Sequence, residues 1–149
     1  MEILNLDLGI KEFRLTENGV LRFNPSDPNV YERFLNAEKD IQTVEEEAAE
    51  KGRTAEKGDA ESVGESAIHI MAEADRKIKD ILNRVFGHGN DFHSILDGVN
   101  LLAVGNNGNR IISNLLDALT PIVEQGAKTF VDGKVAEAKL NRAQRRAMQ

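Results

Sequence analysis

The stretch from Ala60 to Gly87 reads AESVGESAIHIMAEADRKIKDILNRVFG, and its apolar residues recur at steps of three and four. Residues with this spacing lie on one face of an α-helix, while the charged residues between them lie on the other faces. We therefore predict an amphipathic helix, the middle helix of the chain. Its apolar stripe consists of Ala67, Met71, Ala74, Ile78, Ile81 and Val85.

Two other stretches carry a comparable pattern, one from Asp27 to about Lys51 and one from about Gly108 to Phe130. Each of the three predicted helices has one apolar face to bury, so we expect them to pack against one another. The predicted fold is mainly α, with a bundle of three main helices. A short extra helix is predicted over residues 92–96, where Asp91 is placed to cap it.

An N-terminal β-hairpin is predicted before the helices. Residues 2–23 alternate between apolar and polar in a strand-like way, and Asn18-Gly19 suits a tight type I′ turn because both residue types tolerate positive φ. We divide the single domain into a hairpin segment at 1–24, a helical part at 25–133 and a basic, partly mobile tail at 134–149.

Three segments of the helical part are harder to assign. Residues 51–59 are predicted to be a flexible loop or a fraying extension of the first helix. Residues 99–104 could form a buried turn of helix. Pro121 is predicted to kink the third helix or to restart it near Thr120, because proline removes a backbone hydrogen bond.

The composition excludes several classes of protein. The absence of cysteine excludes disulfides and thiolate zinc sites, and no apolar run approaches the roughly 20 residues that a bilayer requires. The N-terminus lacks the pattern of a secretory signal, so we expect a cytoplasmic protein. Residues 128–149 carry six basic and two acidic side chains, and with a total of −6 the rest of the chain has a net charge of −10.

No cluster of residues has the pattern of a catalytic or metal site. His88, Asp91 and His93 are close in sequence, but their spacing matches no established metal motif and their glycine-rich setting favours a turn between helices. Asp75 and Asp80 are expected on an exposed helix face and not in a cleft. We therefore predict no enzyme activity, no metal and no cofactor.

Three stretches carry a resemblance to a known family. They are LRFNPSD at 21–27, leading to YERF at 31–34, then ILNRVFGHG at 81–89, and NRAQRRA at 141–147. In order and spacing they resemble the tail assembly chaperones of phages that have long non-contractile tails and infect low-GC Gram-positive bacteria. The resemblance covers roughly residues 20–149, and residues 1–9 and 51–59 depart from it.

The resemblance implies a function. Such a chaperone is made in the infected bacterial cell or from a prophage, and it coats the tape-measure protein while the tail tube polymerises around it. It is not an enzyme and is absent from the finished virion. The resemblance also implies self-association and a longer, frameshifted form of the same chain. A chaperone of this kind needs exposed amphipathic helical surface, which the three helices supply.

A set of apolar and basic side chains is the hypothetical partner-binding site. The apolar members would face the client, and the arginines would dock an acidic client or a sister subunit. The alternative is that the apolar members fill the protein's own core, as residues at this helical spacing usually do. The set is Val85, Phe86, Leu115, Leu119, Ile122, Arg142, Arg145 and Arg146.

Two other functions remain open from the sequence. The protein could be a scaffolding or structural component of a phage particle. It could also be a small nucleic-acid-binding regulator that uses its basic tail, although the tail has no interleaved aromatic residues and the remainder of the chain is acidic. Nucleic-acid binding is therefore the less favoured of the two.

Overall fold

The computed structural model describes residues 1–55, 58–87 and 89–147 and shows a mainly α-helical protein with an N-terminal β-hairpin. The predicted fold class is confirmed. Three of the helices are long and one is a single turn. The elements in order are β1 (Lys11–Arg14), β2 (Val20–Phe23), α1 (Pro28–Ala55), α2 (Ala60–Phe86), α3 (Phe92–Ile95) and α4 (Ile111–Ala147).

The predicted middle helix is α2, and local hydrogen bonds define both of its ends. The Asp59 carboxylate accepts a hydrogen bond of 2.8 Å from the backbone N–H of Ser62, which satisfies one of the free donors of the first turn. At the other end Gly87 adopts a φ of +86° and its N–H donates to the carbonyl of Asn83. A residue with a side chain is strained at that φ, so glycine ends the helix here.

Helix α1 begins at Pro28, one residue after the predicted Asp27, and runs to Ala55, beyond the predicted end near Lys51. Pro28 occupies the first helical position, where its missing N–H is harmless, and the Asp27 carboxylate accepts from the N–H of Asn29. Of the two alternatives for residues 51–59, the helical extension is correct as far as Ala55.

The β-hairpin is shorter than predicted, and its turn has a different geometry. Residues 1–10 form no strand, and β1 pairs antiparallel with β2 so that Phe13 lies opposite Leu21. The type I′ turn at Asn18-Gly19 was a wrong prediction, because neither residue has positive φ. The five residues of the turn are folded against α3, where the Thr16 hydroxyl donates to the Ile95 carbonyl over 2.6 Å.

Asn90 joins the hairpin to the end of α2. Its side-chain oxygen accepts from the N–H of Arg22 over 2.9 Å, and its side-chain nitrogen donates to the Arg22 carbonyl over 2.7 Å and to the Phe86 carbonyl over 3.1 Å. The amide thus pairs with both backbone groups of one residue of β2, as a neighbouring strand would. Asn90 is buried, so water cannot easily replace these bonds.

We expect Asn90→Ala to lower the free energy of unfolding by about 1–3 kcal/mol, because it leaves buried backbone groups without partners. Urea unfolding followed by circular dichroism measures this change. Asn106→Ala is the matched control, since Asn106 is exposed and its replacement should change stability by no more than about 0.5 kcal/mol. Equal effects of the two substitutions would contradict the assigned role of Asn90.

A row of four phenylalanines joins the hairpin to the hydrophobic core. The ring centroids of Phe13 and Phe23 are 5.2 Å apart, those of Phe23 and Phe86 are 4.8 Å apart, and those of Phe86 and Phe92 are 5.7 Å apart. These rings come from β1, β2, α2 and the start of α3. Contacts between aromatic rings at such distances stabilise the packing beyond the effect of burial alone.

Helix α4 is continuous from Ile111 to Ala147, so of the two alternatives predicted for Pro121 the restart near Thr120 does not occur. Pro121 lies on the exposed side of the helix, where solvent can replace the hydrogen bond that proline removes. The predicted tail is helical from residue 134 to Ala147.

Residues 99–104 form turns and a short bridge between Val104 and Arg110, and the helical turn considered for them is absent from this segment.

A buried ion pair ties the loop after α3 to α2. The Lys79 ammonium lies 2.9 Å from the Asp75 carboxylate and donates a second hydrogen bond of 2.8 Å to the Val99 carbonyl. The other carboxylate oxygen of Asp75 accepts from the N–H of Leu101 over 2.7 Å. The prediction that Asp75 lies on an exposed face was therefore wrong. Asp80 is exposed as predicted.

Candidate protein-interaction surface

The last part of α4 extends beyond the packed body of the protein. Gly126 is the last buried residue of the helix, and every residue from Lys128 to Ala147 is exposed. We call residues 127–147 the distal α4. At 1.5 Å per residue this segment is about 30 Å long.

One face of the distal α4 is basic and partly apolar. At 3.6 residues per turn its six basic side chains fall within about half of the helix circumference. Val131 and Val135 lie on the same half and are 55% and 47% exposed. This combination suits a partner that is both acidic and amphipathic. The basic residues are Lys128, Lys134, Lys139, Arg142, Arg145 and Arg146.

A second surface lies where α4 passes the hairpin. Phe13, Pro25, Ile122 and Gly126 contribute to an open groove here, with a volume of about 370 Å³. Gly126 is required at this position, because a Cβ atom there would overlap the carbonyl of Pro25. We call this the hairpin groove.

The segment before β1 carries exposed apolar side chains and leads directly into Lys11, a residue that lines the hairpin groove. Its backbone is attached to the link between β2 and α1 by the Asn24 side chain, which donates to the Leu8 carbonyl over 2.9 Å. Exposed apolar side chains close together are typical of surfaces that bind other proteins. The side chains are Ile3, Leu4, Leu6, Leu8 and Ile10, each at least 48% exposed.

The residues of the hypothetical partner-binding site fall into two groups. Val85, Phe86, Leu115 and Leu119 are at most 7% exposed and belong to the hydrophobic core. Their burial agrees with the alternative left open from the sequence, that these side chains fill the protein's own core. Ile122 is half-buried and lines the hairpin groove.

The three arginines of that site are separated from its apolar members. Arg142, Arg145 and Arg146 are exposed on the distal α4, several turns beyond Ile122. The structure therefore does not bring the predicted residues together in one place. Ile122 and the arginines remain candidates on two separate surfaces.

In the turn predicted near His93, Asp91 caps the N-terminus of α3. The Asp91 carboxylate accepts from the N–H of His93, and this hydrogen bond is the main reason that the pKa of Asp91 is lowered. The imidazole of His93 lies 3.5 Å from the Asp80 carboxylate. His88 lies outside the described residues, and among residues 1–55, 58–87 and 89–147 no group of three or more acidic, histidine or cysteine side chains is placed to hold a metal.

Sequence reasoning missed the buried ion pair and the exposure of the apolar stripe near the start of α2. Ala67 and Met71 belong to the predicted stripe, yet both are exposed. The signal for the ion pair was an aspartate followed four residues later by a lysine, a spacing that places the two side chains together on a helix. Nothing in that spacing distinguishes a buried pair from an exposed one.

The chain matches no protein-family model, and neither a curated protein nor a solved structure shows significant similarity to it. In the part of the chain that the structure describes, no helix combines the length and apolar character needed to cross a membrane.

Proposed function

We propose that this protein is a phage or prophage tail assembly chaperone that binds the tape-measure protein during tail morphogenesis. The observation that carries the proposal is the exposed apolar segment at residues 3–10, which is bonded through Leu8 to Asn24 and leads directly into Lys11, a residue that lines the hairpin groove. A helical client has an apolar stripe to cover before the tube assembles, and an open groove with adjacent apolar side chains can receive it. The resemblance at residues 21–34, 81–89 and 141–147 supports the choice of client.

The client's apolar stripe is proposed to lie along the hairpin groove, with Ile122 in its floor and the segment before β1 closing over it. Burial of these apolar side chains against the client stabilises the complex by about 25 cal/mol per Å² of apolar surface removed from water. Such binding requires no catalytic group and no cofactor. It takes place in the cytoplasm of the bacterial host, and the chaperone leaves before the virion is complete.

Affinity capture of the co-expressed tape-measure protein tests this proposal. The double variant Leu4→Glu/Leu6→Glu should retain the helical circular dichroism of the wild type, because both side chains are more than 80% exposed. We expect it to recover at least about tenfold less client, equivalent to a loss of about 1.4 kcal/mol in binding. Leu35→Glu is the control, since Leu35 is exposed on α1 and does not line the hairpin groove.

Capture by the Leu35 variant should equal that of the wild type. Full capture by the Leu4/Leu6 variant would show that the client does not use this surface. The absence of capture by the wild type itself would contradict the proposed function.

A nucleic-acid-binding regulator is the second candidate, and the one-sided basic face of the distal α4 favours it. Phosphate contacts from lysine and arginine weaken steeply as salt is added. Titration of duplex DNA at low and at moderate salt therefore distinguishes the two functions. The chaperone proposal predicts no saturable binding at low salt, whereas a regulator would bind there and release the DNA as salt rises.

A further inference from the structure

Helices α1 and α2 extend beyond the region that α4 covers. Helix α4 begins beside the loop that Asp75 holds, and the N–H of Ile112 donates to the Leu101 carbonyl over 2.8 Å. The side chain of Asn100 in the same loop donates to the Met71 carbonyl. The end of α1 and the start of α2 therefore project past the first turn of α4. We call residues 44–55 and 58–71 the arm.

The arm has an apolar groove in the position that a third helix would occupy. Its walls are formed by small residues of α1 and by residues of α2, and its lower end lies at Leu102 and Arg110, immediately before α4. The groove has a volume of about 210 Å³. Small side chains let a helix approach closely. The walls include Ala48, Ala49, Gly52, Ala67 and Met71.

The arm and the distal α4 carry opposite charges. The arm has seven acidic and two basic residues, whereas the distal α4 has six basic and two acidic ones. The groove itself is lined by Glu45 and, at its lower end, by Arg110, so the excess of negative charge comes from the arm residues around it. Because each surface is apolar at its centre and charged around it, the two are complementary in both properties.

The two surfaces cannot meet within one chain. Gly126 packs against Pro25, just before the start of α1, while the arm begins at Val44 near the other end of that helix. The intervening residues of α1 span about 24 Å, and the distal α4 continues away from them. The occupant must therefore come from another molecule.

We propose that the distal α4 of one copy docks in the arm groove of a second copy. It takes the vacant third-helix position there, with Val131 and Val135 against the alanines and the basic side chains against Glu45 and its neighbours. Each copy offers one groove and one distal helix, so the contact is heterologous and can repeat from copy to copy. This self-association is separate from client binding at the hairpin groove.

Sedimentation of the full-length protein over a range of concentrations tests the proposal. We expect the average mass of the wild type to rise past that of a dimer, and to fall back when salt is added. Val131→Glu/Val135→Glu on the helix and Ala67→Glu in the groove should each reduce the protein to a monomer, because every contact needs one intact helix and one intact groove. Ala136→Glu lies outside the half of the distal α4 that carries the valines and the basic residues, and should assemble as the wild type does.

A mixing experiment distinguishes this contact from a symmetric one. The Ala67 variant still has an intact distal α4, and the Val131/Val135 variant still has an intact groove. An equimolar mixture should therefore form a heterodimer with twice the chain mass, which does not grow further. A wild type that stays monomeric, or a mixture that stays monomeric while the wild type assembles, would overturn the proposal.

Discussion

Replacing Lys79 by methionine should lower the free energy of unfolding by about 3–5 kcal/mol, because it leaves the Asp75 carboxylate buried without its cation. Lys79 is 1% exposed and donates to both Asp75 and the Val99 carbonyl. The substitution keeps the volume of the side chain but removes the charge and the donors. Chemical denaturation at constant pH measures the loss.

The chain contains a matched control for this substitution. Lys77 and Glu73 form an ion pair with the same spacing along α2, but both side chains are more than 40% exposed. An exposed pair of this kind contributes about 0.3–0.5 kcal/mol. Lys77→Met should therefore have little effect, and similar losses for the two variants would refute the structural role assigned to Lys79.

Replacing Gly126 by alanine is expected to have the second large effect. The added Cβ would overlap the Pro25 carbonyl, so α4 must move away from the start of α1. Overpacking of this kind costs about 1–3 kcal/mol or more, even though alanine favours a helix more than glycine does. Thermal unfolding should show a lower midpoint, and the helix shift should also change the hairpin groove.

Gly133→Ala, on the same helix, should have the opposite effect on stability. Gly133 lies in the distal α4, and a Cβ atom there would meet no neighbour within 4 Å. The substitution should therefore stabilise the helix by up to about 1 kcal/mol. If Gly126→Ala also raised the stability, the close packing of α4 on Pro25 would be incorrect.

The three long helices and some of their ends were predictable because they depend on local chemistry, whereas α1 and α4 run past the ends predicted near Lys51 and Phe130. The spacing of apolar residues located the three long helices, and Asp27, Asp91 and Gly87 indicated where helices begin or end. The paired part of the hairpin was predicted, but not its turn. That turn is folded against Ile95, which lies far away in the sequence, so dipeptide preference did not decide its geometry.

The candidate surfaces were less predictable because they depend on which helix faces another helix covers. The stripe of α2 is regular, yet Ile78 is buried and Met71 is exposed, since α4 begins only beside the loop after residue 100. The sequence pattern also cannot tell whether Leu119 and Ile122 are buried to the same extent. Both lie on the apolar face of α4, but only the tertiary packing separates a core residue from one in a groove.

Co-expression with the tape-measure protein of the same genome tests the central claim most directly, with the soluble fraction of that client as the measured quantity. The proposed chaperone should keep the client soluble and co-purify with it in a large assembly, as determined by light scattering. A client that stays insoluble, while this protein purifies alone, would contradict the account.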